Sequence, residues 1–159
     1  MSKTIGDILA QPTTPGYSLR TFAGPADSYA WLALRTAAFA GETPTTGIWN
    51  QAHFQREFTD QWWWRPEWQW FASESTAPDR VVGSVTLALR GTPEQHVAVV
   101  HWLMVLPENR RHGIARALLA TLEQTAYQAG YRELRLETHV NWRSAVRFYE
   151  SAGYRPIEK

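Results

Sequence analysis

Apolar residues change period several times along this chain, and each change marks an element. Val81–Leu89 and Val97–Val105 are two dense apolar runs separated by Gly91-Thr92-Pro93, which predicts a pair of strands joined by a hairpin. The second run is nearly continuous, as expected of a central strand covered on both faces. Over 111–129 the spacing becomes helical: Ile114, Leu118, Leu119 and Leu122 form one stripe, and Gly130 supplies a left-handed stop. Leu134–Thr138 reads as a strand. A further helix carries Ala145, Val146, Phe148, Tyr149 and Ala152, with Asn141 as a candidate cap and Gly153 at its end. Tyr154–Glu158 leaves room for a final short strand.

The first half is less regular. Residues 1–16, with Pro12, Pro15 and Gly16, read as a loose lead-in to a single domain over 17–159. Tyr17–Phe22 alternates weakly, as a first strand. Gly24-Pro25-Ala26-Asp27 opens a helix whose stripe includes Tyr29, Leu32, Ala33 and Thr36. A loop over 41–47 precedes a short second helix between Ile48 and Phe58, and a strand over Trp68–Ser73 leads into a turn at Glu74–Arg80. The order is β, α, α, three strands, then α, β, α, β. Strands linked by hairpins and then by helices imply an α/β (α+β) fold, a mixed and mostly antiparallel sheet with helices on both faces.

Composition narrows the chemistry. At 159 residues, with 44% hydrophobic and 19% charged, the chain has the make-up of one globular domain. It has no cysteine, which removes disulfides, thiolate metal sites and cysteine nucleophiles. His53, His96, His101, His112 and His139 include no close pair at ligand spacing, so no bound metal is expected. Met1 to Thr14 lacks the apolar core of a signal peptide, and no run approaches the roughly 20 residues that span a bilayer. A cytoplasmic protein without membrane association is therefore expected. A formal charge of +1 gives no general reason to expect nucleic-acid binding.

Charge is uneven, however. Arg110, Arg111 and Arg116 surround the start of the 111–129 helix, where the macrodipole already makes positive charge unfavourable. Their placement makes sense if an anion is bound between them. Gly113 and Ala115 remove bulk where the backbone would approach such a ligand. Neither G-x-x-x-x-G-K-[ST] nor a complete G-x-G-x-x-G fingerprint is present.

The stretch Val105-x-Pro107-Glu108-x-Arg110-Arg111-x-Gly113-Ile114-Ala115-x-Ala117-Leu118-Leu119 resembles the acetyl-CoA motif of GNAT N-acetyltransferases, [RQ]-x-x-G-x-[GA]. A second segment, Leu136-Glu137 followed by Asn141, Ala145, Phe148-Tyr149-Glu150 and Gly153-Tyr154, is similar to that family's later motif. The resemblance implies a sheet splayed between strands 97–105 and 133–138. Leu103, Met104 and Val105 would pair with the pantetheine arm of acetyl-CoA, and the amides of the turn from Arg111 through His112, Gly113, Ile114 and Ala115 to Arg116 would hold its pyrophosphate. Asn141 would hydrogen-bond the cofactor or cap its helix.

The activity implied is direct transfer of an acetyl group to a primary amine on a small molecule or a polypeptide N-terminus. A non-catalytic acyl-CoA-binding module with the same fold is the rival reading. Tyr149 matches the family's tyrosine that protonates the leaving thiolate. For the base, Glu137 aligns with the glutamate of one branch, His101 could relay a proton through water, or an ordered water could serve alone.

The chain holds nine tryptophans, five of them clustered as Trp62-Trp63-Trp64 and Trp68-x-Trp70. Three in a row cannot all point inward, so Trp62, Trp63 and Trp64 are candidates for an acceptor wall, while Trp68 and Trp70 read as core. An exposed ring could hold an ammonium, worth about 0.5–2 kcal/mol. The family usually continues past its G-[FY] with two strands, and this chain has space for one. The wall could then come from the Trp region or from the partner subunit of a homodimer, or be missing through truncation.

Overall fold

The computed structural model describes residues 1–7, 12, 14–41 and 47–158. Most of the loop expected over 41–47 lies outside them. Among the described residues six strands form one sheet in the order β1-β6-β5-β4-β3-β2: β1 is Ser2–Thr4, β2 Tyr17–Thr21, β3 Gln69–Glu74, β4 Ala77–Gly91, β5 His96–Val105 and β6 Glu133–Arg135. Every pairing is antiparallel except β5 with β6. The helices are α1 (Pro25–Ala38), α2 (Gln51–Phe54), α3 (Ile114–Gln128) and α4 (Arg143–Ser151). This is the mixed α/β, mostly antiparallel architecture that the apolar pattern predicts.

The ends of the chain differ from expectation. Ser2–Thr4 is no loose lead-in but an edge strand paired with β6, Lys3 opposite Leu134. The expected last strand shrinks to one bridge, in which Arg155 exchanges both backbone bonds with Ser2. Side chains hold this corner. Lys3 Nζ reaches both oxygens of Glu123 on α3, at 3.1 and 3.0 Å, and the buried Tyr154 hydroxyl donates to Glu123 Oε1 at 3.0 Å. In the 74–80 segment the turn is tighter than expected, because β4 already begins at Ala77.

α1 begins at Pro25, whose fixed φ suits a first helical position. Asp27 in its first turn accepts two bonds from Arg20 at 2.8 Å each, and one from the Ala23 amide at 2.7 Å. The Arg20 guanidinium holds the Asp27 carboxyl below the usual carboxylate range. A depressed folded-state pKa stabilises above the unfolded value and is lost as pH falls through the folded one. Asp27→Asn should therefore cost about 1–3 kcal/mol at neutral pH. In urea unfolding measured from neutral to acid pH, its deficit against the parent should shrink once Asp27 protonates.

The core on the α1–α2 side is aromatic. Trp31 is fully buried, with ring centroids 4.9 Å from Phe58, 5.5 Å from Phe54, 5.7 Å from Trp49 and 5.8 Å from Trp102. α2 is short, fastened by Asn50 and His53, which bond each other's backbone amides in a reciprocal cap, and it widens into a π-helical turn over Gln55–Thr59. α3 closes over Gly83 of β4, where a Cβ would sit 3.1 Å from the Met104 carbonyl oxygen and 3.2 Å from Ile114.

Candidate functional site

β5 carries an irregularity that organises everything around it. On β4, Ser84 opposes Met104 and Thr86 opposes His101, so Val85 alone faces both Trp102 and Leu103. That is a β-bulge, and Trp102 adopts φ 51°, a left-handed conformation that costs a non-glycine residue about 1–3 kcal/mol. Packing holds it: the indole meets Trp49 at 5.2 Å and Phe39 at 5.6 Å as well as Trp31, and its Nε1–H donates to Glu57 Oε1 at 3.3 Å.

On its other edge, β5 pairs with β6 only through Val99 and Arg135. Beyond that point the two strands separate, leaving Leu103, Met104 and Val105 without a ladder partner on this side among the described residues. A cleft of about 1000 Å³ opens there. It is lined by those three residues, by Arg110, Arg111, Gly113, Ile114, Ala115 and Arg116 at the start of α3, and by Asn141. Thus all the sequence-predicted cofactor residues converge except His112, whose side chain is exposed beside the Tyr17 ring, 5.9 Å between centroids.

The turn before α3 has a geometry that suits an anion. Arg111 (φ 67°) and Gly113 (φ 81°) are both left-handed, and no side chain caps the helix. Among the described residues the first-turn amides are therefore without a side-chain acceptor, beside a cationic cleft. The arginines divide their work. Arg110 is a strut, donating from Nε to the Val105 carbonyl at 3.2 Å and from Nη2 to the Ala38 carbonyl at 3.1 Å. Arg116 leans over Phe148 and bonds Ser151 Oγ at 3.3 Å. Arg143 and Arg147 also line the cleft, four apart on α4 and so on one helix face. That spacing is the signal the sequence offers for them. Asn141 does not cap α4: Trp142 occupies the cap position, without a side-chain bond.

A smaller cleft, about 230 Å³, lies along the other half of β5, lined by Val99 and His101 with Glu57, Trp62, Trp63 and Arg90. His101 Nε2 and Glu57 Oε1 are 2.5 Å apart. Trp62 is 45% exposed, its ring 5.2 Å from that of His96, whereas Trp63 is buried. Trp64 turns away, packing edge-on against Phe22 at 5.2 Å, and Trp68 and Trp70 are core, as expected. Glu137 lines neither cleft; its side chain is 80% exposed and paired with Arg90 at 2.5 Å. Tyr149 lines neither cleft, being buried between Phe148 and Tyr154, and burial raises its pKa. Among the described residues no group of three or more His, Cys, Asp or Glu side chains is placed to hold a metal, and no helix is long and apolar enough to cross a membrane.

The sheet thus splays beside a turn whose geometry and arginines suit an extended, phosphate-bearing ligand. The model of the acetyltransferase (GNAT) family matches residues 30–154, and the chain belongs to that family. It is 29% identical over 154 residues to a mycothiol acetyltransferase of Nocardia farcinica, covering 93% of this chain and 50% of that protein. A mycothiol acetyltransferase of Thermobispora bispora is 30% identical over 157 residues, covering 97% and 52%. The chain thus spans about half the length of these relatives. Among solved structures, the NatC complex bound to Gag peptide and CoA has a chain of similar fold, with a TM-score of 0.69 at 20% identity, covering 89% of this chain and 86% of that one.

Proposed function

We propose that this protein transfers an acetyl group from acetyl-CoA to a primary amine, with the cofactor in the larger cleft. The observation that carries this reading is the uncapped start of α3, its left-handed residues and amides set among arginines beside an unpaired edge of β5. The pyrophosphate would rest on the amides from Arg111 to Arg116, with His112 contributing its main chain only. The pantetheine arm would add to β5 along Leu103, Met104 and Val105 as an extra strand. Asn141 would bond it from the opposite wall. Acetyltransferase relatives support the activity.

For the chemistry, His101 is the base we favour over Glu137, because it lines a cleft along the same strand while Glu137 stands in solvent against Arg90. Tyr149 is the proposed acid toward the leaving sulfur; burial keeps it protonated, and its neighbour Phe148 lines the cofactor cleft. The acceptor, a small molecule or a peptide N-terminus, would enter past Trp62 and Trp63.

Calorimetry should detect CoA binding, and acetyl-CoA with a panel of primary amines should release free thiol. Tyr149→Phe should lower kcat about tenfold or more with CoA affinity retained. Binding without thiol release from any amine would turn the reading toward an acyl-CoA-binding module.

A further inference from the structure

In the sequence Glu57 is an acidic residue a few positions before the tryptophan run. In the fold it sits on the π-helical turn, a geometry frequent at functional sites, and reaches His101 from 44 positions away. The bond from His101, supported by the Trp102 indole, holds the Glu57 carboxyl below the usual range. Glu57 is therefore ionised at neutral pH, and an ionised carboxylate only accepts. The hydrogen between the two must belong to Nε2, which leaves the lone pair of the neutral ring on Nδ1. Other charges around the pair are Arg35 from α1, buried with its guanidinium 4.9 Å from the Trp102 ring, and Arg90 from β4, already engaged by Glu137.

We propose that Glu57 is the positioning residue of an imidazole base, fixing His101 as the Nε2–H tautomer so that Nδ1 takes the proton from an ammonium entering the second cleft. This rests on the assignment of His101 as base. The freed amine forms its C–N bond to the acyl carbon as the C–S bond breaks. Tyr149 gives its proton to the sulfur and takes up the amine's remaining surplus proton, giving amide and thiol, and His101 returns its own proton to water. Glu57 attracts the cation, and the exposed Trp62 ring offers it a second, aromatic contact.

Nitrogen-15 NMR of the protein alone, with the ring neutral and His101 identified by its loss in His101→Gln, should show the Nε2-protonated pattern. Glu57→Leu should mix the tautomers and lower kcat about tenfold to a hundredfold with a smaller change in KM. Glu57→Gln, which still offers an accepting oxygen, should recover much of both. An Nδ1-protonated ring in the parent protein overturns the proposal. Full turnover in Glu57→Leu beside a crippled His101→Gln overturns the positioning role alone, whereas full turnover in His101→Gln overturns the base assignment beneath it.

Discussion

Trp31→Ala is expected to cost about 3–5 kcal/mol, the range for emptying a buried aromatic site. Domains are commonly stable by only about 5–15 kcal/mol, so this one side chain decides whether the fold persists. Trp31 is fully buried, and its four ring neighbours come from four separate places: the segment before α2, α2 itself, the π-helical turn and β5. No neighbour can fill the space without leaving its own contacts. The loss also removes a wall from Trp102, whose left-handed backbone is held by packing. Urea unfolding should show the midpoint falling sharply, and near-UV circular dichroism should lose aromatic signal even where the variant remains folded. A loss below about 1 kcal/mol would mean that the cluster repacks, against the behaviour of well-filled cores.

Gly113→Trp should have the opposite profile, with a small effect on the fold and a large one on the ligand. At φ 81° any side chain is strained, by about 1–2 kcal/mol. Among the described residues its Cβ would nevertheless meet only Thr14 Cγ2 within 4 Å, at 3.8 Å. The indole would then project from the uncapped helix start, where the proposed pyrophosphate sits. CoA affinity measured by calorimetry should fall about a hundredfold, near 2.7 kcal/mol. Unchanged affinity would remove the cofactor from this cleft.

What could be read from the sequence was what local signals carry. β5 was expected over 97–105 and spans His96–Val105, because its apolar run is continuous. The turn before α3 announced itself through arginines where a helix disfavours them. All three of Trp62, Trp63 and Trp64 were candidates for an acceptor wall; Trp62 is exposed and Trp63 is buried at the small cleft, whereas Trp64 packs on Phe22 away from it. What escaped depended on distant partners. Ser2-Lys3-Thr4 is too short and polar to show alternation, and the strand it joins lies over a hundred positions away. Nothing in the identity of a tryptophan announces a left-handed residue at 102, since the cost is met by three-dimensional packing. The Glu57–His101 pair joins two ordinary residues that only the π-helical turn and the bulge bring within reach.

That bulge has a consequence for how such a protein changes over time. With one residue out of the regular pleat, β5 becomes two half-strands: Val99 and His101 look into one cleft, and Leu103 to Val105 border the other. Under the proposed function, substitutions that retune the choice of acceptor would accumulate in the first half while the second kept its grip on the donor. The kink at Trp102 would then act as a partition between two inheritances, one free to drift and one held to a shared donor.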